Sequence, residues 1–354
     1  MINFNNLLKK KPFELEKNKK KTFFFDNQRR LTLHHYKNSK EFKKVADLGF
    51  PNFDKVRNSE SLPYLHSKLF KLYNLKSTKY EKIKTLKSSG TSGSDLSKIN
   101  IDLKTSLIQA NVLKKIIFDF IPKDTNTIFI IDSKKNFYDI KNFNAKTAAI
   151  RGFAQNFKKR YFLLKKNYQP NLNLIKILKK KSNKEASVYF GFTNIVWENF
   201  IQVLKKEKIK INDKKSYFIH GGGWKRLENR KIKKKVFNQE IKKRLGIKKI
   251  INYYGMIEQT GSIFMECQYG YFHSSIFSDI FIRNSNLNLE KKSKQPGIIQ
   301  VMSLLPISYP GHNIITEDIG VIMGEDNCKC GRKGKFFKVL NRIENSENRG
   351  CANV

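Results

Sequence analysis

Three observations predict an α/β fold built on a largely parallel sheet, with a smaller β subdomain toward the C-terminal end. Short apolar runs recur at residues 127–132, 187–192, 217–220 and 249–253. Helical patterns at 196–205 and 234–245 follow them, and strands alternating with helices read as βαβ units with parallel strands. Two of the runs end in glycine-bearing loops, and sheets of this kind bind ligands at the carboxyl ends of their strands.

In chain order, residues 1–85 read as mainly helical, with apolar positions at mixed three- and four-residue spacing through 62–72, and carry no obvious chemistry. The α/β core is expected over 86–290. Residues 297–302 and 320–323 read as strands of a smaller antiparallel sheet within 291–340, and 341–354 as a hinge followed by a polar, mobile tail. There is no internal repeat and no low-complexity linker apart from lysine-rich loops.

Composition narrows the function classes. With 354 residues, 39% hydrophobic and 12% aromatic, the chain can bury a substantial core. No apolar run approaches the roughly 20 residues of a membrane span, and the first residues lack a signal-peptide pattern, so a cytoplasmic location is expected. Lys and Arg total 71 against 30 Asp and Glu, a formal charge of +41. Charge alone favours a basic nucleic-acid-binding protein. The lysines are spread over the whole chain, however, among many Asn, Ile and Phe residues, as expected when an AT-rich coding sequence fills solvent-facing positions. Runs at 179–181 and 233–235 read as solvated faces, and no zinc-finger spacing, ribonucleoprotein aromatic motif or basic heptad accompanies them. No nucleic-acid partner is therefore expected.

Four segments carry candidate chemistry. In the first, Ser89, Gly90, Thr91, Ser92 and Gly93 form a small-residue loop whose hydroxyls and N–H groups can surround phosphate oxygens, with Lys98 as a nearby point charge. It lacks the Walker pattern, and taken alone it reads equally as a flexible linker. The second, Gly221, Gly222 and Gly223, follows an apolar run and is followed by Trp224 and Lys225; it suits either backbone passing flush against a flat ligand or a tight strand-to-helix turn. In the third, Tyr254, Gly255 and Met256 precede Glu258, pairing an aromatic ring that can stack on a base with a carboxylate that can hold magnesium. Finally, Cys351 follows the polar stretch 341–350, which reads either as a frayed end or as an arm whose thiolate takes an activated acyl group as a thioester.

The first three of these segments, followed by residues 315–318 and by Arg342, stand in an order that resembles the adenylate-forming superfamily, which activates carboxylic acids as acyl-AMP. The resemblance implies that Thr91 and its neighbours bind the ATP triphosphate, Gly221 to Gly223 pass the adenine, Glu258 holds Mg2+, Asp318 binds the ribose hydroxyls and Arg342 marks the domain hinge. Within the superfamily the chain is similar to the LuxE-type acyl-protein synthetase family. The matching phrases are Gly221-Gly222-Gly223-Trp224-Lys225, Ser308-Tyr309-Pro310-Gly311-His312, Thr316-Glu317-Asp318-Ile319-Gly320, the stretch 330–337 and the ending Glu347-Asn348-Arg349-Gly350-Cys351. It departs at Asn341, where the family usually has glycine.

Cys351 is thus implied to be the acyl acceptor, a fatty acid the substrate, and a LuxC-like acyl reductase the partner. The fold implied is the N-terminal adenylate-forming core without the usual large C-terminal lysine domain, leaving Lys98 or Lys225 to stabilise charge in the first half-reaction. A phenylacetate-CoA-ligase-like enzyme passing its acyl group to coenzyme A is the alternative within the superfamily.

The other three cysteines form a set of their own. Cys267, His273, Cys328 and Cys330 offer three sulfurs and one nitrogen, enough to close a tetrahedral structural zinc site. Against this, Cys-x-Cys is tighter than common zinc spacing, and three buried thiols beside a surface histidine fit the sequence as well.

Overall fold

A computed structural model describes residues 4–77, 84–88, 96–138, 144–181, 184–223, 232–290, 292 and 294–343. The chain divides into two compact units. One holds the described residues of 4–87, 96–117 and 255–343, and the other those of 118–254.

The first unit begins with helices Phe4–Lys9, Lys17–Asn38 and Lys40–Gly49. Ser39 separates the last two and accepts the Phe42 N–H, which caps the third helix. The long helix buries Phe24, Gln28, Leu31, Thr32 and His35, a set at helical spacing that mixes polar with apolar side chains. Residues 62–72, expected to be helical, are not. Pro63 lacks the N–H a helix interior needs, and the chain instead makes a two-residue strand β1 (Leu65–His66) and one turn, Leu69–Leu72. Strands β2 (Lys84–Lys87) and β3 (Lys98–Ile101) pair antiparallel. Helix Leu103–Phe120 then starts on Asp102, whose carboxylate accepts the Thr105 N–H at 2.7 Å.

The second unit carries β4 (Thr127–Ser133), β5 (Lys159–Leu164), β6 (Val188–Phe192), β7 (Tyr217–Gly221) and β8 (Lys249–Tyr254). They run parallel in the order β5-β4-β6-β7-β8. Four of the five fall on predicted runs; β5 was not foreseen. Helix Lys234–Leu245 lies where predicted and stops at Gly246, whose φ of +76° ends it. The predicted helix at 196–205 is a continuous helical stretch from Thr193 to Lys206 containing a π-turn, Val196–Ile201.

The core of this unit is aromatic. Phe153 stacks on Phe190 with centroids 4.2 Å apart, Phe192 is buried, and Trp197 packs 6.1 Å from Phe237. A polar peg crosses this core: the Tyr189 hydroxyl donates to Asp213 at 3.0 Å and the Ser216 hydroxyl to the same carboxylate at 2.8 Å.

Returning to the first unit, the remaining strands are β9 (Phe264–Glu266), β10 (Phe272–His273), β11 (Ser278–Arg283), β12 (Gly297–Ser303), β13 (Asn313–Glu325) and β14 (Lys335–Arg342). Their order is β11-β12-β13-β14-β10-β9, with antiparallel pairing along β11 to β14, β14 to β10 and β10 to β9, and β1 adds to β13 in parallel. The strands predicted at 297–302 and 320–323 lie inside β12 and β13, antiparallel as expected. Between them, residues 304–312 cross the interior without regular structure, and nearly all are buried. No helix among the described residues is long and apolar enough to cross a membrane.

Three buried histidines make the fold acid-sensitive. Burial holds His220 and His312 neutral, pushing each pKa down to about 3, with Lys234 adding to the effect at His220 and His34 at His312. Burial, then His312 and His34, also lowers His35 well below its usual value. The unfolded chain protonates these rings near pH 6.5 while the folded chain does not, so stability is full above that pH and is lost as pH falls from about 6.5 toward 3. Melting temperature should therefore drop steadily below pH 6.5, with a slope of about 1.4 kcal/mol per pH unit for each histidine. Replacement of His312 by Asn should flatten that slope in a thermal melt series even if it lowers stability at neutral pH.

Candidate active site and cysteine–histidine cluster

Ser89 to Gly93, Lys225 and Cys351 lie outside the described residues. Lys98 opens β3, where it is exposed and opposite Lys87.

The glycine turn ends β7 in the second unit, and its three glycines have different causes. A side chain at Gly221 would collide with the Tyr253 ring, and at Gly222 with the Phe192 ring. Gly222 and Gly223 have φ of +87° and +77°, a conformation that L side chains rarely adopt. At Gly223 nothing among the described residues lies within 4 Å of an added Cβ. The tight turn and close aromatic packing thus account for the first two, while the third presents open backbone. Just behind, the Thr193 hydroxyl donates to the Gly221 carbonyl at 3.0 Å and lies 2.9 Å from His220 Nδ1, fastening the end of β7 to the residue after β6. Tyr254 ends β8 and is partly exposed. Phe153, Phe192 and Trp197 are all buried in the core of this unit.

In the first unit, Gly255 and Met256 lead into a 3-10 turn, Ile257–Gln259, which carries the buried Glu258. Gln259 fixes this turn: its Nε2 donates to the Gly311 carbonyl at 2.9 Å and the Val301 carbonyl at 3.1 Å. Gly311 is required here, because a Cβ would strike the Glu258 carbonyl and the Tyr309 ring. Tyr309 is fully buried and accepts the Gln109 amide at 3.3 Å, while Thr260 donates to Gln109 Oε1 at 2.8 Å. Burial, with the Glu258 carboxylate adding to it, keeps the Tyr309 hydroxyl protonated. The sequence phrases at 256–260 and 308–312 are therefore one structure, joined by side chains that the sequence reading did not single out: Gln259, Gln109 and Thr260.

Asp318 and Arg342 are cross-strand partners on β13 and β14, and Arg342 Nε donates to Asp318 Oδ1 at 2.9 Å. Both side chains keep some exposure, 18% for Asp318 and 25% for Arg342, so the carboxylate remains reachable from solvent. Asn341, the departure from the family phrase, pairs with Ile319 beside a register shift between Ile319 and Gly320.

The same sheet carries the second constellation. Cys267 follows β9, His273 lies on β10, and Cys328 and Cys330 lie between β13 and β14. Their four candidate ligand atoms all lie within 4.8 Å of one another. Cys267 and Cys328 sulfurs are 3.9 Å apart, and Cys330 sulfur is 3.3 Å from His273 Nε2. His273 is buried rather than on the surface, which departs from one of the two sequence readings. Burial pushes the Cys267 thiol up and the Cys328 thiol up to about 12. It also lowers His273 to about 4, with Arg332 and Lys20 adding to the effect.

Comparison with solved structures finds the same fold in 2-hydroxyisobutyryl-CoA ligase. In complex with 2-HIB-AMP and CoA in the thioesterification state, that ligase matches with a TM-score of 0.70 at 11% identity, over 94% of this chain and 70% of that one. In its postadenylation state with 2-HIB-AMP it matches at 0.69 and 10% identity, over 91% of this chain and 67% of that one. Among curated proteins no sequence matches this chain. The sequence pattern of the family described as Acyl-protein synthetase, LuxE, matches residues 3–354, and on that match the chain belongs to the LuxE acyl-protein synthetase family.

Proposed function

We propose that this protein activates a fatty acid as its acyl-adenylate at the expense of ATP and then takes the acyl group onto its own Cys351. The observation that carries the reading is the Asp318–Arg342 pair at 2.9 Å. It sets a solvent-reachable carboxylate, suited to two ribose hydroxyls, beside the arginine at the end of β14 from which the tail leaves. Glu258 supports it as a buried carboxylate on a turn fixed by two hydrogen bonds, a hard oxygen donor of the kind Mg2+ accompanying ATP takes.

In the first half-reaction a carboxylate oxygen of the acid attacks the α-phosphorus of ATP. The bond from that phosphorus to the bridging oxygen breaks, and pyrophosphate leaves with the electron pair. Glu258 would hold the magnesium that offsets its charge, with Ser89 to Gly93 binding the phosphates and Lys98 or Lys225 supplying the remaining cation. Gly223, with open space among the described residues where a side chain would stand, would let the backbone lie against the adenine, and Tyr254 would stack on it.

In the second half-reaction the Cys351 thiolate attacks the acyl carbonyl. A carbon–sulfur bond forms, the mixed-anhydride C–O bond breaks, and AMP leaves. From Arg342 to Cys351 an extended tail reaches about 30 Å at roughly 3.3 Å per residue, enough to carry the thioester from the adenylation site to an acyl reductase that releases it as aldehyde. Coenzyme A, present with the ligase neighbour, is the alternative acceptor.

Purified protein incubated with Mg-ATP and a radiolabelled fatty acid should become labelled, and neutral hydroxylamine should release the label. Cys351→Ser should form acyl-AMP and pyrophosphate once but hold no covalent label; covalent label retained by Cys351→Ser, or turnover strictly dependent on added coenzyme A, would contradict capture at this residue. Separately, Asp318→Asn should raise KM for ATP by about tenfold, roughly 1.4 kcal/mol, with little change in KM for the acid. An equal loss in both would argue that Asp318 only supports the sheet.

A further inference from the structure

Outside the adenylation site, the strongest unassigned feature is the cluster of Cys267, His273, Cys328 and Cys330, which gathers three of the four cysteines of the chain. Two short turns deliver the sulfurs, and they are built alike. In each, the N–H three residues after a cysteine donates to that cysteine's carbonyl: Gly270 to Cys267 at 2.9 Å and Gly331 to Cys328 at 3.0 Å. In each, that third residue is a glycine with positive φ, +80° at Gly270 and +82° at Gly331.

The separations agree with coordination. Two sulfurs each about 2.3 Å from a tetrahedral zinc stand about 3.8 Å apart, and a sulfur and an imidazole nitrogen about 3.5 Å; here they are 3.9 Å and 3.3 Å. A disulfide would require about 2.05 Å between sulfurs. The close Cys-x-Cys spacing is accommodated because the two residues face different partners: Cys328 lies against Cys267, and Cys330 against His273. His273 is fully buried between the Phe13 and Phe336 rings, and while its Nδ1 has no hydrogen-bond partner among the described residues, its Nε2 faces the Cys330 sulfur.

We propose that these four residues bind one zinc ion in a closed Cys3His site that is structural, not catalytic. Four protein ligands leave no position open for water or substrate, and soft thiolates with an imidazole select zinc over the magnesium or calcium that carboxylates hold. The ion ties the β9–β10 hairpin to the connection between β13 and β14. That connection, residues 326–334, supplies no large apolar side chain to the core. It is otherwise held by Asp326, which accepts the Gly334 and Lys17 N–H groups at 2.7 Å each, and by Lys333, whose N–H donates to the Phe13 carbonyl. Zinc thereby fixes where β14 begins, at Lys335 opposite Glu325.

The full chain, purified in reducing buffer without chelator, should contain about one zinc ion per chain by plasma mass spectrometry. A mercurial thiol reagent should release that zinc to a colorimetric indicator, and cobalt exchanged into the protein should give the intense bands of tetrahedral thiolate coordination. Cys267→Ser and Cys330→Ser should each retain less than about a tenth of the zinc, whereas Cys351→Ser should keep it all. If either cluster variant fails to fold, the zinc content and cobalt spectrum of the wild-type chain decide the matter alone. Wild-type protein that takes up neither metal, or a Cys267–Cys328 disulfide found by mass spectrometry in freshly prepared protein, would overturn the proposal. These readouts do not depend on acyl transfer, so they stand or fall apart from the proposed activity.

Discussion

An irregular segment running through the interior is the constraint on which the first unit depends. Residues 304–312 join β12 to β13 while almost wholly buried, and each buried backbone group on such a path costs free energy unless it finds a partner. Regular structure cannot supply the partners, so side chains do. From the N-terminal helix, Gln28 donates to the His312 carbonyl at 2.9 Å, and His35 and His34 reach the Pro306 and Ile307 carbonyls at 3.0 Å each. From the other side Gln259 reaches Gly311. The Ser77 N–H and the Thr105 hydroxyl satisfy Ser308. The Glu258 turn inherits its position from this arrangement, because Gln259 next to it is one of the supports. Losing one buried amide leaves carbonyls unpaired at about 1–3 kcal/mol each, which makes the helix a structural part of the site it never enters.

The second unit works by a different rule. Its parallel strands are satisfied by their own ladder, so the carboxyl ends are free to carry turns of unusual geometry. Strand order changes direction between β4 and β6, with β5 on one side and β7 and β8 on the other, and such a reversal opens a crevice in doubly wound sheets. Asp132 at the end of β4 is buried there with Lys146 at 3.4 Å and accepts the Asn136 amide, while Gly221 to Gly223 leave β7 nearby in the strand order. Aromatic rings packed against the first two glycines fix the turn from within the core. Backbone is left to face whatever ligand arrives.

How much of this could be read from the sequence follows from where the information lay. Strands β4, β6 and β7 were legible because each carries a short apolar run buried on both faces, and β8 because Ile250 and Ile251 are followed by two tyrosines. Strand β5 was missed because its first three residues, Lys159, Arg160 and Tyr161, are exposed. β14 was missed because its apolar residues come in pairs, Phe336-Phe337 and Val339-Leu340 separated by Lys338, without the strict alternation that marks a strand. The stretch 62–72 has helical spacing, yet its apolar residues serve a strand pairing and a one-turn helix. Glu258, Asp318 and Arg342 were found through phrases of local sequence. Gln259, Gln109 and the polar face of helix Lys17–Asn38 were not, since their partners lie tens to hundreds of residues away; the available signal was the presence of Gln28, Thr32 and His35 at core-facing spacing. The cysteine–histidine cluster was legible because ligand chemistry is carried by residue type, and the structure supplied what spacing alone left open, namely that His273 is buried among the sulfurs.

The central claim is that this fold forms acyl-adenylates, and acid-dependent exchange of labelled pyrophosphate into ATP tests it without reference to the acceptor thiol. The account predicts exchange that requires a fatty acid and Mg2+ and persists in Cys351→Ser, because adenylation precedes capture. Absence of exchange across acids of varied chain length, in protein that instead binds nucleic acid with a steep salt dependence, would contradict it and return the +41 charge to the centre of the explanation.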